Sequence, residues 1–204
     1  MTEATADTAL STEDGAEGTS PRRMRADARL NNERLLGAAR LVFTRDGGSA
    51  SMEAIAKEAG VGVGTLYRHF PRRIDLVEAV YRNDVDELIA GAEKSVNELE
   101  PWPALVAWLD SFISYSQTKR VLLSELQESF DKNPAFKLRS RERINAATAV
   151  ALERAQRAGM ARTDIDAADL MQLLGPMCIH AQLSSEQSRR LLAVVIDGLR
   201  PSPQ

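Results

Sequence analysis

Residues 51–70 read SMEAIAKEAGVGVGTLYRHF, and the fold is decided in this stretch. Ser51 places a side-chain acceptor just ahead of the helix-forming run from Met52 to Ala59. Its hydroxyl is therefore positioned to cap one of the first free amide donors. Gly60 ends that helix, because a left-handed residue without a Cβ is the favoured stop. Val61 and Gly62 complete the turn, and a second helix follows from Val63 to His69. Pro71 and the basic pair Arg72-Arg73 come next. Helix, short glycine-bearing turn, helix is the helix-turn-helix plan.

Helical spacing separates the inner side chains from the outer ones. Ile55, Ala56 and Ala59 share one face of the first helix, Val61 plugs the turn, and Leu66 and Phe70 sit four apart on the second. Gly64, Thr65, Tyr67, Arg68 and His69 are left for the outside. A hydroxyl, a phenol, a guanidinium and an imidazole on two turns of helix suit phosphate oxygens and base edges. A solvated helical hairpin in an all-helical domain would show the same outer face.

The longer run AIAKEAGVGVGTLYRHFPRRIDL resembles the signature of the tetracycline-repressor (TetR) family: IA, then AGV, then GTLY-x-x-F, then a basic residue and Leu. The resemblance covers about the N-terminal third of the chain beyond its polar start, and several apolar, glycine and aromatic positions agree in register. It implies an all-α protein with an N-terminal three-helix DNA-binding domain and a larger C-terminal helical domain for ligand binding and dimerisation. The set expected to face double-stranded operator DNA is Ser51, Gly62, Val63, Gly64, Thr65, Tyr67, Arg68, His69, Arg72 and Arg73. Two positions depart from the family pattern. Gly62 stands where a capping Ser is common, and Arg73 replaces the usual Lys, so that its expected phosphate contact would be forked.

Charge partitioning agrees with a nucleic-acid module joined to something else. The net charge of −3 over 204 residues hides −5 in residues 1–20, +6 in 21–73 and −4 in 74–204. No run of eighteen apolar residues occurs, so no membrane partner is expected. The start lacks a secretory pattern. The lone Cys178 suits a reducing cytoplasm. Cys178 with His180 is too sparse a set for a metal, and no cofactor is expected. The two histidines, His69 and His180, lie in different regions, and no nucleophile-elbow, metal or phosphate-loop motif accompanies them, which argues against an enzyme.

Taken in order, the chain divides into residues 1–25, 26–73 and 74–204. Residues 1–20 are small, polar and acidic and read as disordered, and Pro21 to Arg25 read as a basic arm. A helix is expected from Asp27 to Asp46, with Leu35, Ala38-Ala39 and Val42-Phe43 as its stripe. After Pro71 a long helix to about Asn97 bridges the reader and the C-terminal domain. Pro101-Trp102-Pro103 reads as a break. Helices are then expected at 104–117, 121–130 and 135–158, and two strongly apolar ones end the chain.

By resemblance, the last two helices form a four-helix bundle in a homodimer. The apolar positions offered for it are Leu170, Leu173, Leu174, Leu191, Val194, Val195 and Leu199. The family also holds a small effector in the C-terminal domain. Trp108, Phe112, Tyr115, Met171, Met177 and His180 supply the aromatics, flexible Met and polar tips that suit an apolar or aromatic ligand, although each also suits plain core packing. Gly175-Pro176 interrupts a helical pattern and is expected to kink it. Repression, a palindromic operator and release by ligand follow from the family alone. The alternative is an all-helical interaction module of the same fold that has lost ligand sensing.

Overall fold

The computed structural model describes the backbone of residues 21–179 and 183–201. It describes the side chains of residues 31–116, 119, 120, 122, 123, 125–176 and 183–201. Residues 1–20, His180 and the side chains of Met177 and Cys178 lie outside the described residues. The chain divides into two units, residues 1–33 and 34–204. In the first, the backbone from Pro21 onward is helical. The second holds the helix-turn-helix and every helix after it.

All regular structure among the described residues is helical. The elements are α1 (Pro21–Asp46), α2 (Met52–Glu58), α3 (Val63–His69), α4 (Arg73–Glu98), α5 (Pro101–Val121), α6 (Leu123–Lys132), α7 (Pro134–Arg157), α8 (Ala167–Ile179) and α9 (Ser185–Gly198). No helix among the described residues is long and apolar enough to cross a membrane.

Local chemistry explains the helix ends. Ser51 Oγ accepts from the Ala54 amide at 3.1 Å, and Gly60 takes φ +68°, where a Cβ would be strained. Asn133 Oδ1 caps α7 by accepting from the Phe136 amide at 3.2 Å, and Ser184 Oγ caps α9 through the Gln187 amide at 3.1 Å. The start of α5 differs from expectation. α5 begins at Pro101, not after Pro103, because a proline in the first turn removes only an amide that has no helical partner. Among the described residues α1 runs from Pro21, so residues 21–25, read as an arm, are helical in backbone.

One apolar core runs through residues 34–204. Leu35, Ala39, Val42 and Phe43 of α1 meet Ile55 and Ala56 of α2, Leu66 of α3, and Leu76, Val77 and Val80 of α4. The same buried network continues through Leu88, Leu105, Leu109, Leu126, Leu152, Leu170 and Leu192. α4 is the shared beam, packing on α5, α6 and α7, while α8 and α9 pack on α5. An ion pair ties α1 to the middle of α4: Arg40 meets Asp84, and its Nη1 donates to Glu87 Oε2 at 2.9 Å.

Candidate nucleic-acid interface and C-terminal cavity

α3 buries Leu66 and presents Val63, Gly64, Tyr67, Arg68 and His69, with Thr65 half-buried. Val63 with Tyr67, and Gly64 with Arg68, are one helical turn apart, so a phenol and a guanidinium share an exposed face. Arg68 lies back along the helix, its Nε donating to the Gly64 carbonyl at 3.2 Å and its Nη2 to Thr65 Oγ1 at 3.4 Å. Both contacts are weak and local, and the side chain is exposed. Gly62 is the N-cap and supplies no side-chain acceptor. Ser51 uses its oxygen on the α2 cap and keeps a hydroxyl donor.

Arg72 is exposed and closes the start of α4 with Asp75. The Asp75 Oδ2 accepts from the Arg72 amide at 2.9 Å, and Arg72 Nη2 meets Oδ1 at 2.5 Å. These hydrogen bonds hold the Asp75 carboxyl below the usual carboxylate range.

Arg73, expected as a phosphate contact, is half-buried and turns its donors to groups of its own chain. Its Nε donates to Glu125 Oε2 at 2.9 Å and its Nη2 to Oε1 at 2.8 Å, the forked geometry that Lys cannot make. Its Nη1 donates to the Ala50 carbonyl, and its guanidinium carbon lies 4.9 Å from the centre of the Phe43 ring. The first residue of α4 thus joins α6, the loop before α2 and the end of α1. Sequence reasoning missed Glu125 because the pair is separated by 52 residues. Arg73→Ala and Glu125→Gln should each lower stability without DNA, the alanine by about 2 kcal/mol. Urea unfolding checks this. Unchanged stability in both would restore the phosphate role.

The C-terminal helices line an open-mouthed cavity of about 810 Å³. Tyr81 of α4, Phe112, Tyr115 and Ser116 of α5, Ile144 of α7 and Met171 of α8 form much of its wall, and Gly175 and Pro176 line it as well. Phe112, Tyr115 and Met171, three of the residues offered for a ligand, line this cavity. Trp108 does not. It is 1% exposed and donates through Nε1 to Thr148 Oγ1 at 3.1 Å, in the packing of α5 on α7. Its indole N–H needed a buried partner, and α7 supplied one away from the cavity. Sequence reasoning also missed Tyr81 and four cations of the wall, Lys119, Arg120, Lys137 and Arg141. Lys137 and Arg141 were legible as like charges one turn apart on the face of Ile144.

The apolar positions of the last helices divide into two groups. Leu170, Leu174 and Leu199 are buried in the core of their own chain, so they are corrected from interface to core. Leu173, Leu191 and Val194 are 55%, 36% and 69% exposed, and Val195 is half-buried. Helical period makes the division: Leu170 and Leu174 are one turn apart on the face toward α5, and Leu173 lies off it.

Comparison with known proteins matches these two halves separately. Residues 35–80 match the family model of bacterial regulatory proteins of the tetR family, and residues 100–201 match that of an SbtR-like transcriptional regulator C-terminal domain. A crystallised TetR transcriptional regulator from Streptomyces coelicolor is 37% identical, with a TM-score of 0.74 over 84% of this chain and 99% of that one. A TetR transcription regulatory protein from Mycobacterium vanbaalenii is 31% identical, with a TM-score of 0.71 over 87% of this chain and 99% of that one. An HTH-type transcriptional regulator of Staphylococcus aureus is 32% identical over 111 residues, 53% of this chain. The aligned part spans 60% of that relative's length. These matches, over the helix-turn-helix and the helical C-terminal domain, place this chain in the TetR family of DNA-binding transcriptional regulators.

Proposed function

We propose that the chain acts as a homodimeric repressor that binds a palindromic operator and is released when a small ligand fills the C-terminal cavity. The observation that carries the reading is the span of α4. One end of this helix holds Arg73 beside Ala50, Phe43 and Glu125, and its middle puts Tyr81 in the cavity wall. A ligand that moves Tyr81 or α6 therefore acts on the helix that seats the reader. In the dimer two α3 helices would meet half-sites about one helical turn, ~34–36 Å, apart. The exposed Leu173, Leu191 and Val194 are the apolar surface available for the partner.

A gel shift with the protein's own upstream region, at two salt concentrations, tests the DNA side. Affinity should fall steeply with salt as phosphate counterions are released. Arg68→Ala should relax sequence preference by about 1–3 kcal/mol at one base position while sparing binding to random DNA. A uniform loss across sequences would make Arg68 a phosphate contact. Val194→Asp should weaken the dimer at least about tenfold in sedimentation equilibrium, since it puts a charge in an apolar contact. An unchanged association constant would remove α9 from the interface.

A further inference from the structure

We infer that the cavity takes an organic anion, a molecule with an apolar body and a carboxylate, sulfonate or phosphate head whose charge is met by Lys137 and Arg141. The inference rests on the reading of this cavity as an effector site. Its wall holds four cations, Lys119, Arg120, Lys137 and Arg141, and no Asp or Glu is among the described residues that line it. This is a local excess of positive charge within a segment, 74–204, whose net charge is −4.

The helices explain two of the four cations. Lys119 and Arg120 lie in the last turn of α5, where cations meet the negative end of the helix dipole. Lys119 Nζ also lies 5.5 Å from the centre of the Tyr81 ring and 5.7 Å from that of Phe130. The helix dipole gives no such account of Lys137 and Arg141. Lys137 is in the first turn of α7, the end that disfavours a cation, and that turn holds no acid. Its Nζ lies 5.8 Å from the Phe130 ring centre, a weak contact at an exposed site. Arg141 is one turn further on the same face, and like charges at that spacing repel. Both are exposed, and neither is paired with a carboxylate among the described residues. Ile144, one turn beyond Arg141, carries this face into the buried wall of Phe112 and Tyr115. An anion held at the mouth with its body against those rings offsets both electrostatic costs. A neutral ligand offsets neither, and a cation adds to them.

The test uses the full chain and two fluorescent dyes of one skeleton, 1-anilinonaphthalene-8-sulfonate and its uncharged parent N-phenyl-1-naphthylamine. The sulfonate should bind at least about tenfold more tightly. The double variant Lys137→Gln/Arg141→Gln should lose about tenfold for the sulfonate and less than about twofold for the parent. Gly175→Phe should abolish both, because a Cβ added at Gly175 meets nothing within 4 Å and the ring then occupies the cavity. Circular dichroism of each variant should match the wild type. Dodecanoate or 2-naphthoate should displace the sulfonate at lower concentration than dodecanol or 2-naphthol, and which acid does so tells an acyl body from an aromatic one. Equal affinity for both dyes, or a preference that survives the double variant, overturns the anion while leaving an effector cavity in place. Displacement by neither acid overturns the anion as well. If neither dye binds, or both bind Gly175→Phe unchanged, the cavity holds no ligand and the effector reading falls too.

Discussion

Trp108→Ala should lower the unfolding free energy by about 3–5 kcal/mol in a urea titration, the largest effect expected of a single substitution in this chain. The indole is 1% exposed, packs 6.4 Å from the Phe112 ring centre, and donates to Thr148. Removing it opens a cavity between α5 and α7 and leaves the Thr148 oxygen without that donor. Thr148 itself donates to the Ile144 carbonyl at 2.8 Å, so the hydroxyl has little freedom to find another partner. Trp108→Phe keeps most of the volume and should cost about 1–2 kcal/mol for the lost hydrogen bond. Dye affinity in the cavity should stay within about twofold of wild type in Trp108→Phe, because Trp108 is not in the cavity wall. A large change in dye affinity with little loss of stability would return Trp108 to the ligand site.

The second large effect is a pH dependence that belongs to Asp84. Burial pushes its carboxyl up from 3.8 to about 6, although Arg40 pulls the other way. An acid whose folded value lies above its unfolded one takes up a proton on folding between the two. Its stabilising contribution is therefore present below about pH 4 and is lost as pH rises through 6. The wild-type unfolding free energy minus that of Asp84→Asn should fall by about 2–3 kcal/mol between about pH 4 and pH 7, then stay level. Groups common to both proteins cancel in that difference. A difference that rises with pH would mean that Arg40 outweighs burial and that the carboxyl is held low. Since Arg40 belongs to α1 and Asp84 to α4, the pair also ties the reader to the beam.

The reader was legible in the residues because each of its determinants is local. A cap at Ser51, a left-handed stop at Gly60 and an apolar pair at Leu66 and Phe70 act within one or two helical turns, and that range is what periodicity reports. The helix starts at Pro101 and Pro134 obey equally local rules, though a proline pair reads as a break unless a first-turn proline is allowed to open the helix. Arg73 shows where such reading ends. Its position after the motif pointed to DNA, but Glu125, 52 residues away, and the Ala50 carbonyl take its donors. Periodicity likewise marked Leu170, Leu173 and Leu174 as apolar without saying which would meet α5 and which would remain outside.

The order of residues alone therefore decided the all-helical class and the helix-turn-helix, since caps, stops and apolar spacing act between near neighbours, and its motif carried the resemblance to the family. Only the tertiary structure decided that Arg73 braces the reader, that Trp108 is core, and that Lys137 and Arg141 share a cavity with Phe112 and Tyr115. Those facts depend on which distant helices pack together, and the partner that satisfies a charge or an indole N–H is chosen by that packing.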